Sequence, residues 1–131
     1  MEKSIFEKIC DRELPGKIIW EDEQFCAFLS IGPLKPGHTL VVPKKNLGDY
    51  IFELSDTDYQ ALLLAAKKVA TLLKKSLNVA RVLVLVEGFE VPHVHVHLIP
   101  AQVNDGLNKG PIAQANPEEL ARIAEKIIKS K

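Results

Sequence analysis

Pro92-His93-Val94-His95-Val96-His97-Leu98-Ile99-Pro100 places three histidines at every second position, with apolar residues between them and a proline at each end. Successive side chains of an extended strand point to opposite faces. The stretch from His93 to Ile99 therefore reads as a strand whose His93, His95 and His97 share one face, neighbours about 6.5 to 7 Å apart. Val94, Val96 and Leu98 then face the other way, into a core. Imidazole nitrogens need hydrogen-bond partners, so three rings in a row make a poor core surface. Such a face suits an anion, a metal or a nucleophile. Three readings are open: a solvated face without a role, a metal site, and a nucleophilic histidine oriented by its neighbours. Two histidines on one strand face can ligate zinc, but Glu90 is the sole nearby carboxylate and no cysteine is close. The nucleophile reading needs a ring held in one tautomer by adjacent groups.

Working outward, Arg81 to Val86 is a second apolar run, read as a buried strand. Between it and the first part of the chain lies the longest regular stretch, Ser55 to Leu77. There Tyr59, Leu62, Leu63, Ala66, Val69, Ala70, Leu73 and Leu77 form one apolar stripe at helical spacing, with Lys67, Lys68, Lys74 and Lys75 off it. Ser55 and Asp58 resemble a capping box, and Asn78 suits the far end. Upstream, Lys17 to Glu21 and Gln24 to Ser30 read as a hairpin across Asp22-Glu23, and His38 to Val42 as a buried strand closed by Pro43. Ser4 to Asp11 is a short helix with Ser4 as N-cap and Ile5, Phe6 and Ile9 on one face. Residues 101 to 115 read as a loop. Asn116 and Pro117 open a last helix with Leu120, Ile123, Ala124, Ile127 and Ile128 on its apolar face. Helix, three strands, helix, two strands, helix, with short early turns, favours an α+β layer architecture around an antiparallel sheet.

Composition bounds the rest. The 131 residues make one domain, with a core over 1–100 and a C-terminal loop and helix over 101–131. Lys and Arg total 17, as do Asp and Glu, so bulk positive charge for nucleic-acid binding is absent. No apolar run approaches the roughly 18 residues that span a bilayer, and the charged start, MEKSIFEKICDRELPG, does not read as a signal peptide. Cys10 and Cys26 form no CxxC and sit among apolar residues, so buried thiols in a reducing cytoplasm are expected.

His-φ-His-φ-His-φ-φ, with φ apolar, is the histidine triad signature, and the chain resembles a HIT-family protein of the Hint-like branch. Ser4-Ile5-Phe6-Glu7-Lys8-Ile9 with Glu13-Leu14-Pro15 is similar to the family's opening. Ala27-Phe28-Leu29-Ser30-Ile31 and Pro36-Gly37-His38-Thr39-Leu40-Val41-Val42-Pro43-Lys44 resemble its second block. The resemblance implies the HIT-like fold, with the two protomers' sheets joined across a homodimer. It implies a hydrolase or transferase acting on the α-phosphate of a nucleoside phosphoramidate, phosphoanhydride or phosphoester, with a purine nucleotide as partner and no metal or cofactor. By resemblance His95 is the nucleophile that forms a nucleotidyl-histidine. The carbonyl of His93 orients it, His97 bonds phosphate oxygens or the leaving group, and His38 buttresses the triad. Ile5, Phe6, Ile9 and Phe28 match base-sandwiching positions, which equally suit core packing, and Leu29, Ser30 and Ile31 match the ribose-facing segment.

Two departures stand out. Ser30 occupies a position where the family usually has the Asp that accepts both ribose hydroxyls. Hydrogen bonds to a charged acceptor are worth about 1.5 to 3 kcal/mol, so weaker ribose binding is expected. Ahead of the triad, Val86-Glu87-Gly88-Phe89-Glu90-Val91-Pro92 is shorter than the family's loop and has Phe89 for a phosphate-touching Gln, which marks a subgroup with a Glu-Val-Pro-His lead-in. By resemblance Gly88, Phe89, Glu90 and Val91 are expected to line the site. Glu90 is either a general acid, if burial raises its pKa, or a surface residue.

Overall fold

The computed structural model describes residues 2–103, 105 and 115–131. Helix α1, Ile5–Cys10, starts at a full capping box: the Ser4 hydroxyl accepts from the Glu7 amide, and the Glu7 carboxylate accepts from the Ser4 amide. Strands β1 (Ile18–Glu21) and β2 (Phe25–Leu29) form the expected hairpin, with the Asp22 carboxylate accepting from the amides of Gln24 and Phe25 in its turn. After β3, Thr39–Pro43, comes a 3-10 turn at Ile51–Glu53 that the sequence pattern does not reveal. Helix α2, Asp56–Leu77, is capped by the Ser55 hydroxyl and ends at Asn78 in the left-handed conformation. Strands β4 (Arg81–Leu85) and β5 (Val96–Ala101) follow, then α3, Pro117–Lys129, with Asn116 as N-cap.

The five strands form one antiparallel sheet in the order β1-β2-β3-β5-β4. Alternation sorts their side chains to two faces. Phe25, Ala27, Leu29, Val41, Val94, Val96 and Leu98 join Leu62, Val69 and Leu73 of α2 and Leu120, Ala124 and Ile127 of α3 in the main core. Cys26, Phe28, Leu40 and Val42 face the other way and meet Phe6 and Cys10 of α1 in a second cluster. Cys10 and Cys26 are free, buried thiols. Interaction between the two thiols lowers the pKa of Cys10 and, together with burial, raises that of Cys26.

Two expectations are corrected. Strand β4 is not buried: it closes one edge of the sheet, and Val84 is 60% exposed. An all-apolar run marks a buried strand only when both sides of it are covered. The triad strand also begins later, at Val96, and runs on to Ala101. Before Val96 the backbone bonds to loops instead of a strand: the Val94 amide donates to the Gly48 carbonyl and the Asn46 side-chain amide to the Pro92 carbonyl. The two-residue alternation survives this change, since Val94 still points into the main core.

Candidate functional site

The four histidines converge on the second face. Phe6 lies edge-on to His95 at 4.8 Å and to His93 at 5.7 Å between ring centres, and the His95 and His97 rings are 4.9 Å apart. The antiparallel register that pairs Leu40 with His97 brings His38, just ahead of β3, within 2.9 Å of His97. His38, His93 and His95 are buried.

Their hydrogen bonds fix where the protons sit. A carbonyl oxygen only accepts, so His93 Nε2, 2.7 Å from the Pro43 carbonyl, carries a hydrogen. Likewise His95 Nδ1 donates to the carbonyl of His93 at 2.8 Å, which leaves the lone pair of neutral His95 on Nε2. The Leu34 amide donates to His38 Nδ1 at 3.0 Å, so His38 Nε2 donates to Nδ1 of His97. In neutral His97 the hydrogen is then on Nε2. Burial keeps the buried rings neutral. It pushes His38 down to about 4 and lowers His93 and His95 as well. For His95 that loss of solvent outweighs the opposing bond to the His93 carbonyl and the negative charges of Glu90 and Glu87. The arrangement presents one imidazole lone pair beside an imidazole N–H, a pairing suited to attack on phosphorus and stabilisation of the displaced group.

The flanking positions divide. Phe6 and Phe28 pack ring to ring at 5.5 Å beside the histidines, with Ile9 and Val91 against the same cluster. Ile5 lies at the start of α1 and is more than half exposed, as is Ile31. Leu29 belongs to the main core, on the face opposite Phe28. The Ser30 hydroxyl accepts from the Gly32 amide at 3.2 Å, so it serves its own turn. Gly88 has φ +79, and a Cβ there would lie 2.6 Å from the Asp49 carbonyl oxygen, so this close approach needs glycine. Phe89 is 92% exposed. Glu90 is exposed too, so the burial a general-acid carboxyl requires is absent. Helix α3 packs on β1 and α2. Its Glu119, Leu120 and Ile123, with the 33–38 loop, line a cavity of about 160 Å³ that reaches His38. The residues between Ala101 and Ala115 lie largely outside the described residues. Sequence reasoning missed Ser4 as more than a helix cap: its hydroxyl lies 2.6 Å from His93 Nδ1, a contact across 89 positions that no local pattern signals.

A HIT domain model matches residues 11–104 of the chain. The chain belongs to the HIT family. An uncharacterised HIT-like protein of Methanocaldococcus jannaschii is 42% identical over 106 residues, covering 78% of this chain and 81% of the relative. Among solved structures, a HIT-like protein of Bartonella henselae involved in cell-cycle regulation aligns with a TM-score of 0.84 at 30% identity, over 98% of this chain and 96% of that one. A hypothetical histidine triad nucleotide-binding protein of Sulfolobus tokodaii aligns with a TM-score of 0.78 at 31% identity, over 95% and 89%. HIT membership supports a function of the nucleotide-binding or hydrolase type. Within the described residues no helix is long and apolar enough to cross a membrane, and no group of three His, Cys, Asp or Glu side chains is placed to hold a metal ion.

Proposed function

We propose that this HIT protein is a nucleotide hydrolase or transferase that attacks the α-phosphate of a purine nucleoside phosphoramidate, phosphoanhydride or phosphoester. The observation that carries this reading is the His95 Nδ1 bond to the His93 carbonyl, which commits the lone pair to Nε2. In the proposed reaction Nε2 forms a bond to the α-phosphorus as the bond to the leaving group breaks. His97 Nε2–H, backed by His38, hydrogen-bonds the departing atom or a phosphate oxygen. Water then attacks phosphorus, the His95–phosphorus bond breaks, and the nucleoside monophosphate leaves. Phe6, Ile9 and Phe28 offer the base an apolar and aromatic wall, and Val91 closes it. The protein acts as a homodimer whose sheets join, for which the uncovered β4 edge with its exposed Val84 is suited.

Turnover of a panel of adenosine and guanosine phosphoramidates, aminoacyl adenylates and dinucleoside polyphosphates tests the reading. Wild-type protein should turn over at least one class, and His95→Ala none. Equal rates for the two proteins on every substrate would refute it. A second reading, a non-catalytic nucleotide-binding protein on the same fold, is favoured by Ser30, whose hydroxyl is engaged by Gly32 where a ribose-binding carboxylate is usual. That reading gives thermal stabilisation by AMP without turnover.

A further inference from the structure

Ser4 stands at the N-terminus of α1, outside the span that the family model matches. Its hydroxyl has two jobs. The oxygen accepts the Glu7 amide at 3.0 Å, as a helix cap does. Its single hydrogen is then the group that meets His93 Nδ1 at 2.6 Å. The direction of that bond is forced. His93 Nε2 carries a hydrogen because it faces the Pro43 carbonyl, so Nδ1 of the neutral ring is an acceptor and needs a donor. His93 is wholly buried, where an acceptor left without a donor is costly. With both nitrogens bound, the ring is held at two ends. The residue that carries it is the one whose carbonyl receives His95 Nδ1–H. Phe6, two residues after Ser4, adds a second tie by lying edge-on to both rings.

We propose that Ser4 is a positioning residue: by donating to His93 Nδ1 it fixes the His93 ring and main chain, and through the His93 carbonyl it holds His95 in the tautomer that bears its lone pair on Nε2. Ser4 touches neither phosphate nor nucleoside in this scheme. Helix α1 thereby links the wall of the base pocket, Phe6 and Ile9, to the nucleophile. The inference rests on the reading of His95 as nucleophile and adds a residue to it.

Three substitutions separate this role from helix capping. Ser4→Thr keeps both the cap and the donor. Ser4→Asp keeps the cap, but its carboxylate only accepts and calls for a hydrogen on His93 Nδ1. Ser4→Ala loses cap and donor together. Loss of a positioned geometry lowers kcat by about tenfold to a hundredfold, so Ser4→Asp and Ser4→Ala should show that fall with KM little changed, while Ser4→Thr stays near wild type. Nitrogen-15 NMR of the histidine rings supplies a readout independent of turnover. It should show His93 Nδ1 unprotonated in wild type and Ser4→Thr, and protonated in Ser4→Asp. A wild-type kcat in Ser4→Asp, or one His93 signature in all four proteins, overturns the proposal while leaving His95 as nucleophile intact. If instead wild type matches His95→Ala on every substrate, the nucleophile reading has failed, and the His93 spectra alone still decide whether Ser4 sets the ring.

Discussion

The two faces of the sheet are built from the same strands and behave as different materials. One face is covered by α2 and α3, of 22 and 13 residues, and is packed with apolar side chains, with the buried Thr39 beside them bonded to the Gly37 carbonyl. The other is covered by α1, six residues long, and carries four histidines beside Phe6, Phe28 and Leu40. On the first face, area removed from water holds the fold together. On the second, both ring nitrogens of His93 and His38 and Nδ1 of His95 are matched to a donor or acceptor, from Ser4, Pro43, Leu34, His97 and the His93 carbonyl, which leaves His95 Nε2 for chemistry. Neighbouring residues of one strand serve the two purposes, as Val96 and His97 of β5 do. A slip of one residue in register would exchange them, putting imidazoles into the core and valines at the site. Division of labour by face lets the chemistry vary without loosening the core.

The sharpest way to break the comparison is a pair of substitutions, one per face. His95→Ala should abolish turnover and leave the cooperative melting transition in place, because the site face contributes little of the apolar burial. Leu73→Ala, on the wholly buried stripe of α2, should cost about 2 to 5 kcal/mol in denaturant unfolding and leave kcat per folded molecule unchanged. Equal stability losses in the two variants would show that the faces are not energetically distinct.

A smaller effect distinguishes the faces by pH. His38, His93 and His95 have their pKa values lowered in the folded protein, His38 to about 4. Below the ordinary histidine value near 6.5 the unfolded chain binds more protons than the folded one. Stability contributed by these neutral rings is therefore complete above about pH 6.5 and is lost as pH falls from there toward 4. Urea titrations across that range should show the decline, and His38→Asn should flatten part of it. The acid limb of kcat/KM should likewise lie below pH 6.5. Smaller still, Ser55→Ala removes the α2 cap on the core side and should cost about 1 kcal/mol with activity unaffected, as thermal unfolding beside initial rates would show.

Much of this division was legible in the sequence, where its cause is local. The alternation at 93–98 assigns residues to faces, Ser4, Ser55 and Asn116 mark helix starts through hydrogen bonds a few residues long, and Asn78 marks a helix end by its left-handed backbone. What escaped depends on distant chain. Strand order, and with it the exposed position of β4, is a property of pairing and not of β4 itself. The late start of β5 reflects Gly48 and Asn46 taking the bonds a strand would have made. The site shows the same limit. The triad and His38 are recognisable by resemblance, but the His38–His97 bond follows from the β3–β5 register, and the Ser4–His93 bond from the docking of α1. Leu29 could be assigned to a face only once the partners of β2 were known.

The central claim, that His95 Nε2 is the nucleophile, is tested most directly by trapping its covalent product. His97→Ala protein, mixed with a nucleoside phosphoramidate, quenched rapidly and digested, should yield a peptide containing residue 95 heavier by one nucleotidyl group, and the size of the increment identifies the base. The same peptide from the His95→Ala, His97→Ala double variant should be unmodified. An adduct on another residue, or single turnover of the substrate with no adduct at any time, would contradict the account.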